Sequence, residues 1–282
     1  MKKQMRFRIV EIEAGQALSR SGLPDIDYAL NPYLGCSHGC LYCYAKAYTR
    51  YRDAAENWGR VVAVKKNIVE VLRREVRQVK KGTVGIGTIT DPYQPVEALY
   101  NLTRACIEVL VRSGFRVSIQ TKSSLVLRDL DVLKSNRELV DVGLTITSTK
   151  NSSAMRLLEP YSSPPQARVE ALKKLSSEGI TTWIFYGPVI PGYNDSIEEV
   201  IEVLRLAKDT HSTVYIDRFR VKKTMFRDPA LSSIIRKSSR YDWKEFFRSV
   251  LELCKDMNVV CLTGLGEPGN KLSKSIKLDH FL

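Results

Sequence analysis

Apolar and polar residues along the chain fall into two alternating kinds of segment. The first kind is short, rich in Val, Ile, Thr and aromatic residues, and bounded by Gly, Pro, Asp or Ser. It occurs at residues 27–33, 83–90, 116–121, 140–147, 180–186, 213–219 and 258–263, and each reads as a strand. Between them lie segments whose apolar residues recur every three or four positions. Residues 67–81 place Ile68, Leu72, Val76 and Val79 on one face; residues 96–112 do the same with Leu99, Leu102, Cys106, Val109 and Leu110. Residues 166–177 follow Pro164 and Pro165, a good helix start. Asp195 or Ser196 can cap a helix running to Lys208, and residues 241–257 form the last long helix. Regular strand–helix alternation predicts an α/β fold with a parallel sheet and right-handed crossovers. Six such units and a seventh strand fit a partial or complete barrel. Residues 1–26 read as a lead-in, 27–220 as the barrel and 221–282 as a C-terminal α/β extension packed on it.

The length of 282 residues, with 44% hydrophobic and 27% charged residues, is enough to bury a large core without disulfide staples. This composition excludes a disordered chain, a collagen-like repeat and a membrane bundle. Residues 1–15 lack the apolar run of a signal peptide, and charges interrupt every later apolar stretch, so a cytoplasmic location is expected, with no membrane partner. Reducing compartments keep thiols free, and this directs attention to the six cysteines. Cys36, Cys40 and Cys43 are clustered. Cys106, Cys254 and Cys261 lie far apart and are expected as small buried hydrophobes. His211 and His280 read as ordinary loop and tail residues.

The clustered cysteines have the spacing C-x3-C-x2-C, which can turn three sulfurs toward one centre. Gly35 and Gly39 permit the backbone angles that a tight loop needs. Thiolates suit zinc or an iron–sulfur cluster. A structural zinc site wants a fourth ligand, and His38 is awkwardly placed between two of the cysteines. A cube held by three cysteines leaves one iron open for chemistry. With Tyr42 before the third cysteine, the segment resembles the radical S-adenosylmethionine superfamily. Asn31-Pro32-Tyr33 before it and Cys43-Tyr44-Ala45 after it are similar to the spore photoproduct lyase-like branch, which includes DNA repair photolyase-like proteins. So are Thr90-Asp91-Pro92-Tyr93-Gln94-Pro95, Thr121-Lys122-Ser123, Leu127-Arg128-Asp129, Leu158-Glu159-Pro160 and Pro188-Val189-Ile190-Pro191-Gly192. The resemblance runs from about Asp27 to Phe219.

The resemblance implies a partial (β/α)6 barrel and a [4Fe-4S] cluster on Cys36, Cys40 and Cys43. Its open iron would chelate S-adenosyl-L-methionine, whose reductive cleavage gives methionine and a 5′-deoxyadenosyl radical. It also implies a low-potential electron donor such as flavodoxin or ferredoxin. Barrel sites lie at the C-terminal ends of strands. That rule and the resemblance together select Asp91 for the cofactor's amino group and Lys122 for its carboxylate. Val189 and Ile190 would flank the adenine through their backbone. Thr90, Glu97 and Ser148 are further cofactor-binding candidates. Tyr42 and Tyr44 match tyrosines proposed in the lyase to relay a hydrogen atom, and Tyr42 also borders the cofactor. One departure concerns the second strand, where the lyase carries a hydrogen-donating cysteine. Here Thr88 stands in that place, and a threonine hydroxyl is a poor hydrogen-atom donor.

The net charge of +13 is unevenly spread: residues 36–82 carry +7 and residues 216–282 carry +6. Arg218, Arg220, Lys222, Lys223 and Arg227 interleave with Phe219 and Phe226, a pattern suited to phosphate contact and base stacking. Nucleic acid is therefore the first expectation for the substrate. A peptide or small metabolite is the alternative for the same radical chemistry, and a non-enzymatic zinc-binding protein is the alternative to that chemistry.

Overall fold

The computed structural model describes residues 7–23 and 25–264; His280 and the end of the C-terminal segment lie outside them. Eleven strands are formed among these residues: β1 (Arg8–Ile12), β2 (Leu18–Arg20), β3 (Tyr28–Leu30), β4 (Tyr33–Leu34), β5 (Val61–Lys65), β6 (Thr83–Ile86), β7 (Arg116–Thr121), β8 (Val140–Thr145), β9 (Thr181–Val189), β10 (Thr213–Arg218) and β11 (Cys261–Thr263). Eight of them make one sheet in the order β11-β10-β9-β8-β7-β6-β3-β2. The seven from β3 to β11 run parallel, and β2 joins antiparallel at the edge. The sheet stays open, with β2 and β11 as its edges. This is the partial α/β barrel that the alternation predicts.

Strand periodicity sorts the two faces of this sheet. Val84, Ile86, Val117, Ile119, Val142, Leu144, Ile184, Val214 and Ile216 point outward and are buried among the helices, packing with Leu110, Leu172, Leu175 and Val203. The opposite face lines the lumen. There β7 presents Arg116, Ser118 and Gln120, all half-buried, between the fully buried Val117, Ile119 and Thr121. The outer face therefore forms the hydrophobic core, and the inner face is polar and open.

Three departures from the sequence reading bear on the site. Residues 27–33 do not form one strand: the chain leaves the large sheet at Leu30 and enters a small sheet, β1-β5-β4, at Tyr33. The lead-in thus contributes β1, paired in parallel with the fully apolar Val61–Val64 stretch of β5. The expected helix at 96–112 is broken at Asn101, whose φ of 53° separates Glu97–Tyr100 from Leu102–Arg112. Finally, Cys254 and Cys261 are not core thiols. They form a disulfide with Cα atoms 6.1 Å apart, whereas Cys106 is the buried free thiol expected of it. The turn explains the pairing. The helix Trp243–Asp256 ends, Asn258 adopts φ 55°, and the Val259 amide donates to the Cys254 carbonyl at 2.9 Å. The chain reverses, and β11 starts beside the helix's last turn.

Candidate active site

The three-cysteine loop leaves β4 and lies at the C-terminal end of the parallel strands. Gly35 (φ 84°) and Gly39 (φ 63°) occupy the left-handed region as expected. At Gly35 a side chain also has no room: a Cβ would lie 2.6 Å from the Val61 carbonyl oxygen and 2.9 Å from the Ala54 Cβ. Gly35→Ala is expected to destabilise the protein by about 1–3 kcal/mol through combined strain and overpacking. Urea unfolding under reducing conditions measures this, and an unchanged midpoint would refute the account.

The segment 90–94 holds the loop from one side. Thr90 Oγ1 donates to the Gly35 carbonyl at 2.6 Å, and Gln94 Nε2 bonds the same carbonyl at 3.2 Å and Thr90 Oγ1 at 2.9 Å. The Ser37 amide donates to Gln94 Oε1 at 2.8 Å. On the other side the Leu41 amide donates to the Leu158 carbonyl at 2.9 Å. Cys40 and Tyr42 sit in a second apolar cluster with Met155, Leu158, Ile190, Phe219, Met225, Leu231 and Ile234. The chain after β10 therefore forms part of the loop's seat.

Cys36, Cys40 and Cys43 are free, and the first two are buried. Burial pushes all three thiols up, and for Cys36 the neighbouring Asp91, Cys40 and Cys43 add to it. Binding a metal centre as thiolates would thus release protons. Among the described residues no three His, Cys, Asp or Glu side chains converge on a single ion. Three adjacent thiols are the ligand type of an iron–sulfur cluster and of zinc alike.

Asp91 stands at the centre of the polar contacts beside the loop. Its carboxylate accepts from Thr121 Oγ1 (2.6 Å), the Tyr93 amide (2.9 Å) and the Lys122 amide (2.7 Å), and His38 Nδ1 lies 3.3 Å from it. Burial opposes its ionisation, but His38, Thr121 and the Lys122 amide outweigh burial and hold its pKa at about 2. It therefore ties the cysteine loop to the ends of β6 and β7. The ammonium of Lys122 lies 5.7 Å from the centre of the Tyr42 ring. It faces the Cys40 and Cys43 side of the loop, where its charge acts on both thiols.

The two tyrosines are placed differently. Tyr42 is buried, and its hydroxyl donates to Glu159. Glu159 also receives Thr147 Oγ1 at 2.6 Å and the Arg168 guanidinium. Burial would raise the Glu159 pKa, but Arg168, Lys122 and the hydrogen bonds bring it down to about 2. Tyr44 is half exposed and donates its hydroxyl to the Thr88 carbonyl.

The remaining candidates divide. Ser148 follows β8 and bonds Lys150 through its hydroxyl. Val189 and Ile190 end β9, and Asn194 joins them to β8: it receives the Ile190 amide at 2.6 Å and donates to the Thr147 carbonyl at 2.7 Å. Thr90, Asp91, Lys122, Ser148, Val189 and Ile190 thus share one end of the sheet with the loop. Glu97 is apart from them. Its fully buried carboxylate is engaged by Tyr33, the Thr103 amide and Arg128, where it joins helix to scaffold. Gln94, Glu159, Arg168 and His38 are site residues that sequence reasoning did not select. All but Arg168 lie inside the segments that carry the family resemblance, so polar residues in those segments were the available signal.

The structure is an open α/β barrel with three free thiols on the loop at its strand ends. The profile of the Radical SAM superfamily matches residues 30–207, and the chain belongs to that family. An uncharacterised protein of Methanocaldococcus jannaschii is 32% identical over 196 residues, covering 70% of this chain and 73% of its own. A radical SAM Nalpha-GlyT isomerase of Pseudomonas phage M6 is 27% identical over 188 residues, 65% of this chain and 38% of that protein. Among solved structures, spore photoproduct lyase with bound AdoMet and dinucleoside spore photoproduct superposes with a TM-score of 0.65. It is 16% identical, covering 90% of this chain and 81% of that one. The fold is thus that of the lyase. No helix among the described residues is long and apolar enough to cross a membrane.

Proposed function

We propose that Cys36, Cys40 and Cys43 hold a [4Fe-4S] cluster, and that the enzyme abstracts hydrogen from a nucleic acid. When bound, the cluster supplies the electron for reductive cleavage of S-adenosylmethionine into a hydrogen-abstracting radical. The observation that carries the reading is the grouping of three free thiols, the Lys122 ammonium and the ends of β6 to β9 at one end of an open barrel. Lys122 pairs with the cofactor carboxylate. Asp91, Thr90 and Ser148 shape the bed on which the cofactor lies, and the backbone at Val189 and Ile190 borders its adenine. Glu97 acts in the scaffold. In this reading Tyr44, exposed and bonded to the Thr88 carbonyl, returns a hydrogen atom, and Tyr42, bonded to Glu159, holds the loop. The three clustered free thiols favour the reducing cytoplasm, against which the Cys254–Cys261 disulfide counts; the electron donor is flavodoxin- or ferredoxin-like.

The choice of nucleic acid rests on similarity and on the rim. The lyase neighbour is solved with bound dinucleoside spore photoproduct, and the rim of this chain joins cations to aromatics. Lys222 Nζ lies 3.2 Å from the Tyr48 hydroxyl and 5.4 Å from its ring centre, and Tyr48 packs edge-on against Tyr44. Phosphate contact and base stacking both use such a surface. The test is anaerobic reconstitution followed by S-adenosylmethionine, dithionite and oligonucleotides deuterated at their nucleosides. Deuterium is expected in the 5′-deoxyadenosine or the product. Lys122→Ala is expected to weaken cofactor binding by about tenfold, the scale of a lost charged hydrogen bond, while the iron content stays unchanged. Cofactor cleavage with no deuterium transfer from any oligonucleotide would place the substrate elsewhere, and equal cofactor affinity in Lys122→Ala would remove that residue's role.

A further inference from the structure

The lumen of this barrel is built differently from a packed barrel core. Parallel barrels ordinarily fill the interior with branched aliphatic side chains. Here the inner faces of β7, β8 and β9 carry Gln120, Gly143, Trp183 and Phe185, and β10 adds Tyr215 beside Phe185. Gln120, Trp183, Phe185 and Tyr215 are half-buried, whereas their outward-facing neighbours are fully buried. The lumen is therefore open enough for solvent to reach these side chains.

Two glycines let the aromatic rings lie flat against the wall. The Trp183 indole occupies the space that a side chain at Gly143 would fill. Its ring nitrogen donates to Asp141 at 2.7 Å, and Asp141 also receives Ser118 at 2.6 Å, so the indole is fixed in place. The Phe185 ring lies over Gly187, where a Cβ would come within 2.6 Å of it. Tyr215 packs edge-on against Trp183 with ring centres 5.2 Å apart. Opposite Gly143 in the register stands Gln120, two residues beyond Ser118 on the same face and two before Lys122. Among the described residues the Gln120 side-chain amide has no hydrogen-bond partner. A flat, anchored aromatic wall beside a free amide, one layer below the cofactor-proximal strand ends, is matched by a planar heterocycle whose edge carries a donor next to an acceptor.

We propose that a single unstacked nucleobase enters this lumen, rests on Trp183 and Phe185, and has its Watson–Crick edge read by Gln120. This rests on the nucleic-acid reading above and assigns the residues that would choose the base. An amide both donates and accepts, so Gln120 can pair with the O4 and N3–H of thymine or with the N4–H and N3 of cytosine. A leucine of similar size neither donates nor accepts, so it removes both contacts with either base.

The test is equilibrium dialysis of dithymidylate and dicytidylate against the anaerobically reconstituted full chain. In Gln120→Leu both dissociation constants are expected to rise by about tenfold or more. The substitution adds no charge, so repulsion of the phosphate does not contribute. Trp183→Leu is expected to weaken both ligands as well. Gln120 is half-buried, so its variants should fold even where Trp183→Leu does not. Unchanged affinity for both ligands in Gln120→Leu, with the wild-type chain still binding both, overturns the lumen assignment and leaves the nucleic-acid reading standing. Failure of the wild-type chain to bind either ligand overturns both.

Discussion

Cys40→Ala is expected to leave the chain folded but without its cluster. Anaerobic reconstitution should load about four irons per wild-type chain, with the broad visible absorption of an iron–sulfur centre. The variant should hold less than about a tenth of that iron, and its 5′-deoxyadenosine formation should fall below detection. The reason is geometric. Cys40 is the middle thiol of the loop in sequence and sits in the apolar seat made by Leu158, Ile190 and Phe219, and the described residues present no other thiol to the loop. The buried alanine fits that seat, so loss of iron would not follow from unfolding; unchanged far-ultraviolet circular dichroism checks this. Full iron content in Cys40→Ala would contradict the ligand assignment. One tightly bound zinc per wild-type chain, in a colourless preparation, would contradict cluster chemistry as a whole.

What could be read from the sequence followed the strength of each local signal. The seven parallel strands were legible because each carries β-branched residues between turn residues, and helical periodicity separates them. The cysteine loop was legible because three thiols and two left-handed glycines leave few alternatives. The small sheet was not, because β4 has two residues and gains its meaning only from pairing with Val61–Lys65, some thirty positions later. The break at Asn101 was hidden because the apolar spacing continues across it. The disulfide depended on a turn at Asn258 that no periodicity marks. Candidate residues at strand ends were found by position along the chain, but position does not say what a side chain touches. Glu97 and Asp91 are both buried acids close in sequence. One is consumed by Tyr33, Thr103 and Arg128 in the scaffold, and the other binds the loop to β6 and β7. Only long-range contacts separate them.

Arg168→Met is expected to show how much the loop depends on the buried pair behind it. Arg168 and Glu159 are both almost fully buried and face each other beneath Tyr42. Arg168 also donates to the Ser163 and Thr145 carbonyls at 2.7 and 3.1 Å. Removing the guanidinium leaves a buried carboxylate with Lys122 still acting on it, at a cost of about 3–5 kcal/mol near pH 7. The pH dependence gives the sign. In the wild-type chain Glu159 is held at about 2, below its ordinary value. Its contribution to stability is present above the unfolded carboxylate pKa and fades as pH falls toward 2. In Arg168→Met the burial that opposes ionisation is no longer outweighed, so the Glu159 pKa rises. The penalty is then greatest at neutral pH and shrinks as acid protonates the carboxylate. Urea unfolding of both proteins between pH 4 and 8, anaerobically and with reductant, should show the two stabilities converging toward the acid end. The double variant Glu159→Gln/Arg168→Met should recover part of the loss at pH 7, because the amide can still accept from Tyr42 and Thr147 without a buried charge. A deficit of constant size across that range, unrelieved in the double variant, would mean that Arg168 acts through packing and its carbonyl contacts rather than through the charge of Glu159.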